Sequence, residues 1–231
     1  MLVHPFEMAD VEMADDDAGH PGPPRQWREP RPGRGPSRAS RGRRRDILDA
    51  ALRLFNGSGY ARTGVQDIAW EAEASVGSIY HHFDGKEDIA AALYVEGLRD
   101  YQRGLFRELM PPAQEPSAEQ AIKGLVRHHV RWVARNEPLA RFLLTSHDPE
   151  VVGAAAEELR ALNRRTFETV QRWIDRWVGE GEVRELPIAL FHAVVLGPSQ
   201  ELARHWVAGR VKEYESAEDA LAEAAWRAVK A

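Results

Sequence analysis

Residues 62–87 read RTGVQDIAWEAEASVGSIYHHFDGKE, and this stretch decides the fold. Thr63 followed by Gln66 has the form of a capping box that starts a helix. Val65, Ile68, Ala69 and Ala72 then recur at helical spacing and give that helix one apolar face. The pattern breaks at Glu73-Ala74. Ser75 stands where it can cap a second short helix, whose apolar residues are Ile79, Tyr80 and Phe83. Asp84, with Glu87 three residues on, starts a third. Two short helices across a tight turn, the second presenting small polar side chains, have the form of a helix-turn-helix reader of the DNA major groove.

The spacing is specific. Thr63, Val65, Asp67, Ile68, Ala69, Ala72, Ser75, Gly77, Ser78, Ile79, Tyr80, His81, His82, Phe83 and Lys86 stand as they do in TetR-family transcriptional regulators, and the chain resembles that family. The run Ser75-x-Gly77-Ser78-Ile79-Tyr80-x-x-Phe83-x-x-Lys86 carries most of the resemblance. Two positions depart from it. Glu73 occupies the turn position usually held by Gly, and Gly64 stands where a hydroxyl residue is frequent.

Composition bounds the rest. The chain has 231 residues, 43% of them hydrophobic, which is ample for a core, and no cysteine, which excludes disulfides and thiolate metal sites. No apolar run approaches the roughly 20 residues needed to cross a bilayer. An acidic N-terminus is unlike a signal peptide, and the expected location is the cytoplasm. The net charge of -5 conceals an asymmetry: residues 25–45 carry nine arginines against Glu29 alone, while residues 1–24 carry six acids and no Lys or Arg. A local excess of this kind suits DNA even in an acidic chain.

Residues 1–40 are rich in Pro, Gly and Arg and poor in aliphatics, so a disordered tail is expected. Residues 31–45 read either as a basic arm that follows phosphates or as a solvated tail. Helix 1 is expected over 41–57, with Ile47, Leu48, Ala51, Leu54 and Phe55 inward. Arg43, Arg44 and Arg45 begin it and are expected at phosphates. On the recognition helix Ser75, Val76 and Ser78 reach base edges, Gly77 allows close approach, and Tyr80, His81 and Thr63 suit phosphates. Gly64 belongs to the same face. Lys86, on the first turn of helix 4, suits a phosphate too. Tyr80 is expected with its ring packed and its hydroxyl at DNA. His81 and His82 are neighbours on a helix and point about 100° apart, so one metal ion does not join them.

Everything after Lys86 reads as helix: 86–109 as a link between domains, then Ser117 to Arg135, Pro138 to Ser146, Pro149 to Gly179 behind an Asp148 cap, Pro187 to Ala208 with a break at Gly197-Pro198, and a last helix capped by Ser216. The expected fold is therefore all-α, with nine to ten helices: a helix-turn-helix domain over 41–88 and a regulatory and dimerisation bundle over 89–231. The resemblance implies a small-molecule pocket in that bundle and a homodimer. Trp132, Phe142, Asn163, Phe167 and His192 are polar or aromatic within apolar stripes and are the candidate pocket residues. Phe191, Val195, Leu202, Trp206, Leu221 and Trp226 are the candidate dimer contacts. No cofactor or metal set is legible, and no catalytic motif is. The reading is a ligand-responsive repressor that binds an inverted-repeat operator as a dimer. The alternative is a non-specific DNA-binding protein driven by its basic arm.

Overall fold

The computed structural model describes residues 38–111, 115–145 and 149–231. The tail up to residue 37 and the Asp148 cap lie outside the described residues. Among the described residues ten α-helices follow in order: α1 Arg38–Gly57, α2 Val65–Glu71, α3 Val76–His82, α4 Lys86–Leu109, α5 Ala118–Arg135, α6 Glu137–Thr145, α7 Pro149–Gly179, α8 Ile188–Val195, α9 Gly197–Val207 and α10 Glu218–Val229. No strand occurs among the described residues. The all-α expectation holds.

The first three helices enclose a small core. Ile47, Leu48, Ala50, Ala51 and Phe55 of α1 are buried against Ile68, Ala69 and Ala72 of α2 and Ile79 of α3, with Phe83 closing the end. This core runs without interruption into the bundle. Phe142 of α6 stacks on Phe55, with ring centroids 5.7 Å apart, and meets Tyr94 of α4 edge-on at 5.6 Å. Asn56 at the end of α1 donates to Pro138 O at 2.8 Å. The helix-turn-helix is therefore fixed to α6 as well as to α4.

In the bundle, α4 lies against α5 and α7, and α10 lies along α5. The α4–α5 crossing is close. A Cβ added at Gly104 would fall 2.1 Å from His128 Cε1. His128 is held there by a 2.9 Å contact between its Nε2 and Tyr101 O. Gly104→Ala is expected to destabilise the fold by about 1–3 kcal/mol, because the ring must leave its site or the helices must separate. Urea unfolding checks this, and an unchanged midpoint would show that the crossing is loose.

Several helix starts differ from the expected ones. Ser75 and Ser117 cap as predicted: Ser78 N donates to Ser75 Oγ at 3.1 Å, and Ser117 and Gln120 form a reciprocal box. Thr63 does not cap. Its hydroxyl turns back to donate to Gly59 O at 2.9 Å, so the N-cap falls to Gly64, whose N–H is accepted by Asp67 Oδ2 at 2.8 Å. Asp84 does not cap either, and the N-cap of α4 is Gly85. α1 begins at Arg38, three residues ahead of the expected start, and α6 begins at Glu137. The break expected at Gly197-Pro198 within 187–208 is present: two helices part at Leu196. Ser216 lies inside a 3-10 turn, Glu215–Ala217, that leads into α10.

Candidate DNA-reading face and effector pocket

α3 is a seven-residue helix held by two anchors, Ile79 at 0% and Phe83 at 3% exposure. Those two use up its inward side. The residues around them are more open: Val76 is 38% and Tyr80 56% exposed, Gly77 and His81 are exposed, and Ser78 is half-buried. The Tyr80 ring is thus not packed as expected. One position from Ile79 is a rotation of about 100°, which carries it off the core. Ser75 is exposed but engaged as the cap. His82 is half-buried. Burial first, and then the charges of His81, Arg44 and Arg43, push its imidazole below the ordinary range.

The turn holds an unusual backbone. Glu73 has φ +48°, in the left-handed region. Such a conformation costs a non-glycine residue about 1–2 kcal/mol. Arg43 helps to hold it by donating to Ala72 O at 3.2 Å. Glu73→Gly is expected to raise stability by roughly 0.5–1 kcal/mol, the relief of strain exceeding the entropy of the added glycine. A thermal melt that moves down would show that the Glu73 side chain stabilises the turn.

The cations expected at phosphates divide into two groups. Arg45 is exposed. Arg43 is on the turn carbonyls, and Arg44 is paired with Glu96 and lies 5.0 Å over the Phe83 ring. Lys86 sits 4.3 Å over the Tyr60 ring and donates to Tyr60 O at 3.3 Å. Thr63 is 3% exposed with its hydroxyl on Gly59 O. Arg43, Arg44, Thr63 and Lys86 therefore brace the reader. The physical reason is common to them: each has a carbonyl, carboxylate or aromatic face within reach once α1, α2 and α4 pack together. Gly64 remains exposed at the start of α2.

In the bundle, only part of the expected pocket comes together. Phe167 and His192 meet with ring centroids 6.3 Å apart and line an apolar cavity of about 40 Å³ with Leu105, Leu125, Phe191 and Val195. Asn163 lies one turn along α7 from Phe167, and its Oδ1 accepts from Gln102 Nε2 at 3.4 Å. Trp132 is elsewhere, donating from Nε1 to Asp100 Oδ2 at 2.9 Å. Phe142 belongs to the α1–α6 core described above. A second and larger cleft, about 910 Å³, opens between α1 and α4. Its charges are largely neutralised in pairs, Arg44 with Glu96 and Arg103 with Asp100.

Three polar groups outside the expected pocket set lie one helical turn from residues that line the cavity. Tyr101 and His129 are 0% exposed and share a 3.2 Å contact between Oη and Nδ1, and Gln200 lies 3.4 Å from His192 Nε2. The signal for His129 was present: it falls on the apolar stripe of α5 with Ile122, Leu125, Val126 and Val133. Burial, and then the neighbouring His128, push the His129 imidazole down to about 3. Among the described residues no cluster of three or more His, Cys, Asp or Glu side chains is placed to hold a metal ion. None of the described helices is long and apolar enough to cross a membrane.

The expected dimer residues divide by burial. Phe191 at 3% and Val195 at 2% exposure face their own cavity. Trp206 is stacked on Tyr214 at 5.2 Å. Leu202, Leu221 and Trp226 are half-buried against the same core. The apolar side chains turned outward on α8 are Ala189, Ala193 and Leu190, the last 47% exposed.

Comparison with known proteins agrees with this geometry. The family profile "Bacterial regulatory proteins, tetR family" matches residues 47–93, which span α1 to the start of α4. The transcriptional repressor KstR2 of Rhodococcus jostii is 42% identical over 69 residues, which cover 30% of this chain and 33% of that protein. The chain thus spans about a third of that relative's length. An uncharacterised helix-turn-helix-type transcriptional regulator of Mycobacterium tuberculosis is 31% identical over 182 residues, covering 68% of this chain and 87% of its own. The FadR regulator of Bacillus subtilis, solved in complex with stearoyl-CoA, has the same fold, with a TM-score of 0.65 at 21% identity over 78% of this chain and 96% of its own. A braced α2–α3 pair with an outward recognition face, the family profile over that pair, and a transcriptional regulator matched along 87% of its length lead to one conclusion: the chain belongs to the TetR family of helix-turn-helix transcriptional regulators.

Proposed function

We propose that the protein is a ligand-responsive repressor that binds an inverted-repeat operator as a homodimer in the cytoplasm. One observation carries the DNA half: Ser75 at the cap of α3 and Val76, Gly77, Tyr80 and His81 on it are exposed, with Ser78 half-buried beside them, and Ile79 and Phe83 anchor the helix from behind. Residues 41–88 act as the reader and 89–231 as the regulatory and dimerisation part. Ser75, Val76 and Ser78 meet base edges, and Tyr80, His81, Arg45 and the Gly64 backbone meet phosphates. Lys86 uses one of its three N–H donors on Tyr60 O and keeps others for a phosphate.

The dimer is supported by the outer face of α8. Leu190 with Ala189 and Ala193 gives a flat apolar strip of small residues around one large one, which a two-fold axis would cover with its own copy. The pair then sets its recognition helices one helical turn of DNA apart, roughly 34–36 Å. Leu190→Arg is expected to yield monomers at micromolar concentration and to weaken operator binding at least ~100-fold, since a buried uncompensated charge costs several kcal/mol. Sedimentation velocity reads the first effect and fluorescence anisotropy the second.

The ligand half rests on the cavity of Phe167 and His192, whose wall includes Leu105 of α4, the helix that also carries Lys86. A ligand that favours one packing of α4 changes the spacing of the two readers by its differential affinity alone. Selection of bound duplexes from a random pool tests the whole reading. An inverted repeat is the expected result. Recovery of random sequence with a steep salt dependence would support a non-specific DNA-binding protein instead.

A further inference from the structure

We propose that the cavity between α4, α5, α7 and α8 takes an uncharged amphipathic molecule, an aliphatic body ending in a hydroxyl or carbonyl, and that His129 Nε2 receives the polar end. This rests on the effector-pocket reading and adds to it the chemical class of the ligand.

His129 has 0% exposure, and its Nδ1 is satisfied by the Tyr101 hydroxyl. Its Nε2 has no hydrogen-bond partner. A buried polar atom without a partner is costly and calls for a specific reason. Helical register places His129 one turn from Leu125, which lines the cavity. Tyr101 and Leu105 are successive turns of α4, His129 and Leu125 of α5 run beside them, and His192 and Leu196 follow the same step from α8. Leu105, Leu125, Leu196 and His192 all line the cavity. Tyr101, His129 and Gln200 therefore lie about one turn, ~5.4 Å, along from residues of an apolar wall, and His192 lies on that wall itself. An apolar chamber with a few convergent polar groups at one end is how proteins orient an amphipathic ligand.

The character of the polar end follows from the charges nearby. Asp100 is bonded to Trp132 Nε1, and Arg204 is paired with Glu201. No cation in the layer would balance a carboxylate. A neutral imidazole nitrogen donates to a carbonyl in one tautomer and accepts from a hydroxyl in the other, so both ends fit. The cavity holds about 40 Å³ in this structure, room for one small group. The aliphatic body enters by parting α7 from α8, and that parting moves the wall shared with α4.

The test uses the full chain with ¹⁵N-labelled histidine and four probes: 1-octanol, 2-octanone, octane and octanoate. The alcohol and the ketone are expected to bind at least ~10-fold tighter than octane, the step of one good hydrogen bond, and to move the His129 Nε2 resonance. His129→Phe is expected to bring alcohol and alkane within ~2-fold of each other. Tyr101→Phe serves as a second variant and frees Nδ1 without removing the ring. Octane equal to octanol, octanoate tighter than octanol at neutral pH, a still Nε2 resonance in a bound complex, or no binding up to solubility each overturn the proposal. Operator binding is read separately. Its loss with octanol binding intact sinks the regulator reading alone, and the converse sinks only the ligand class.

Discussion

Gly77→Asp is expected to leave the free protein folded and to remove operator binding. The second residue of α3 is exposed, and a Cβ added there meets only Ser75 Oγ, at 3.9 Å, an ordinary contact. The helix gains on two counts. Glycine is a poor helix former, and a carboxylate in the first turn interacts with the helix N-terminus by about 0.3–1 kcal/mol. The melting temperature should therefore hold or rise. On DNA the same carboxylate faces a polyanion with one charge per ~1.7 Å of axis. At ~4 Å and an effective dielectric of about 20, one like-charge contact costs about 4 kcal/mol. Affinity should fall at least ~100-fold, read by anisotropy on the selected duplex. Gly77→Ala separates charge from size, since it keeps the helical gain without the carboxylate. An Asp variant that binds as wild type would move the recognition face off α3.

The second large effect is acid sensitivity through His129. Its folded-state value lies near 3 against an ordinary 6.5, with burial as the main cause. Above pH 6.5 both folded and unfolded chains hold it neutral, and it contributes nothing to pH dependence. Below that only the unfolded chain takes up the proton, so stability falls as pH falls, by about 1.4 kcal/mol per unit. Between pH 7 and pH 5 the loss from this residue alone is about 2 kcal/mol. His129→Phe removes the slope and leaves the smaller one of His128, which burial also lowers. Urea unfolding at both pH values and one protein concentration is the measurement. Wild type and variant should differ little at pH 7, where the variant loses one unmatched nitrogen but strands the Tyr101 hydroxyl. At pH 5 the variant should be the more stable. Parallel pH profiles would show that water reaches the ring.

These two positions also show how legibility divides along the chain. Gly77 was readable because local rules decide it: an N-cap serine, a helical period and two apolar anchors all lie within nine residues, from Ser75 to Phe83. Thr63 obeyed the same rules on paper and failed them, because its hydroxyl had a second acceptor four residues back, and only the folded connection brings Gly59 O within 2.9 Å. The candidate pocket divided in the same way. Phe167 and His192 met, while Trp132 found Asp100 and Phe142 found Phe55, partners 32 and 87 positions away along the chain.

The linear order of residues was sufficient for the all-α architecture, the position of the reader and the family, since each depends on helical period and on spacings shorter than two turns. It could not say which cations brace the reader, because Arg43, Arg44 and Lys86 choose between a phosphate and a nearer carbonyl, carboxylate or ring. It could not separate the two apolar sides of α8 either. Phe191 and Val195 turn inward and Leu190 outward, a choice that periodicity leaves open because all three are equally apolar. Packing settles both, since burial and pairing are properties of what surrounds a side chain in space.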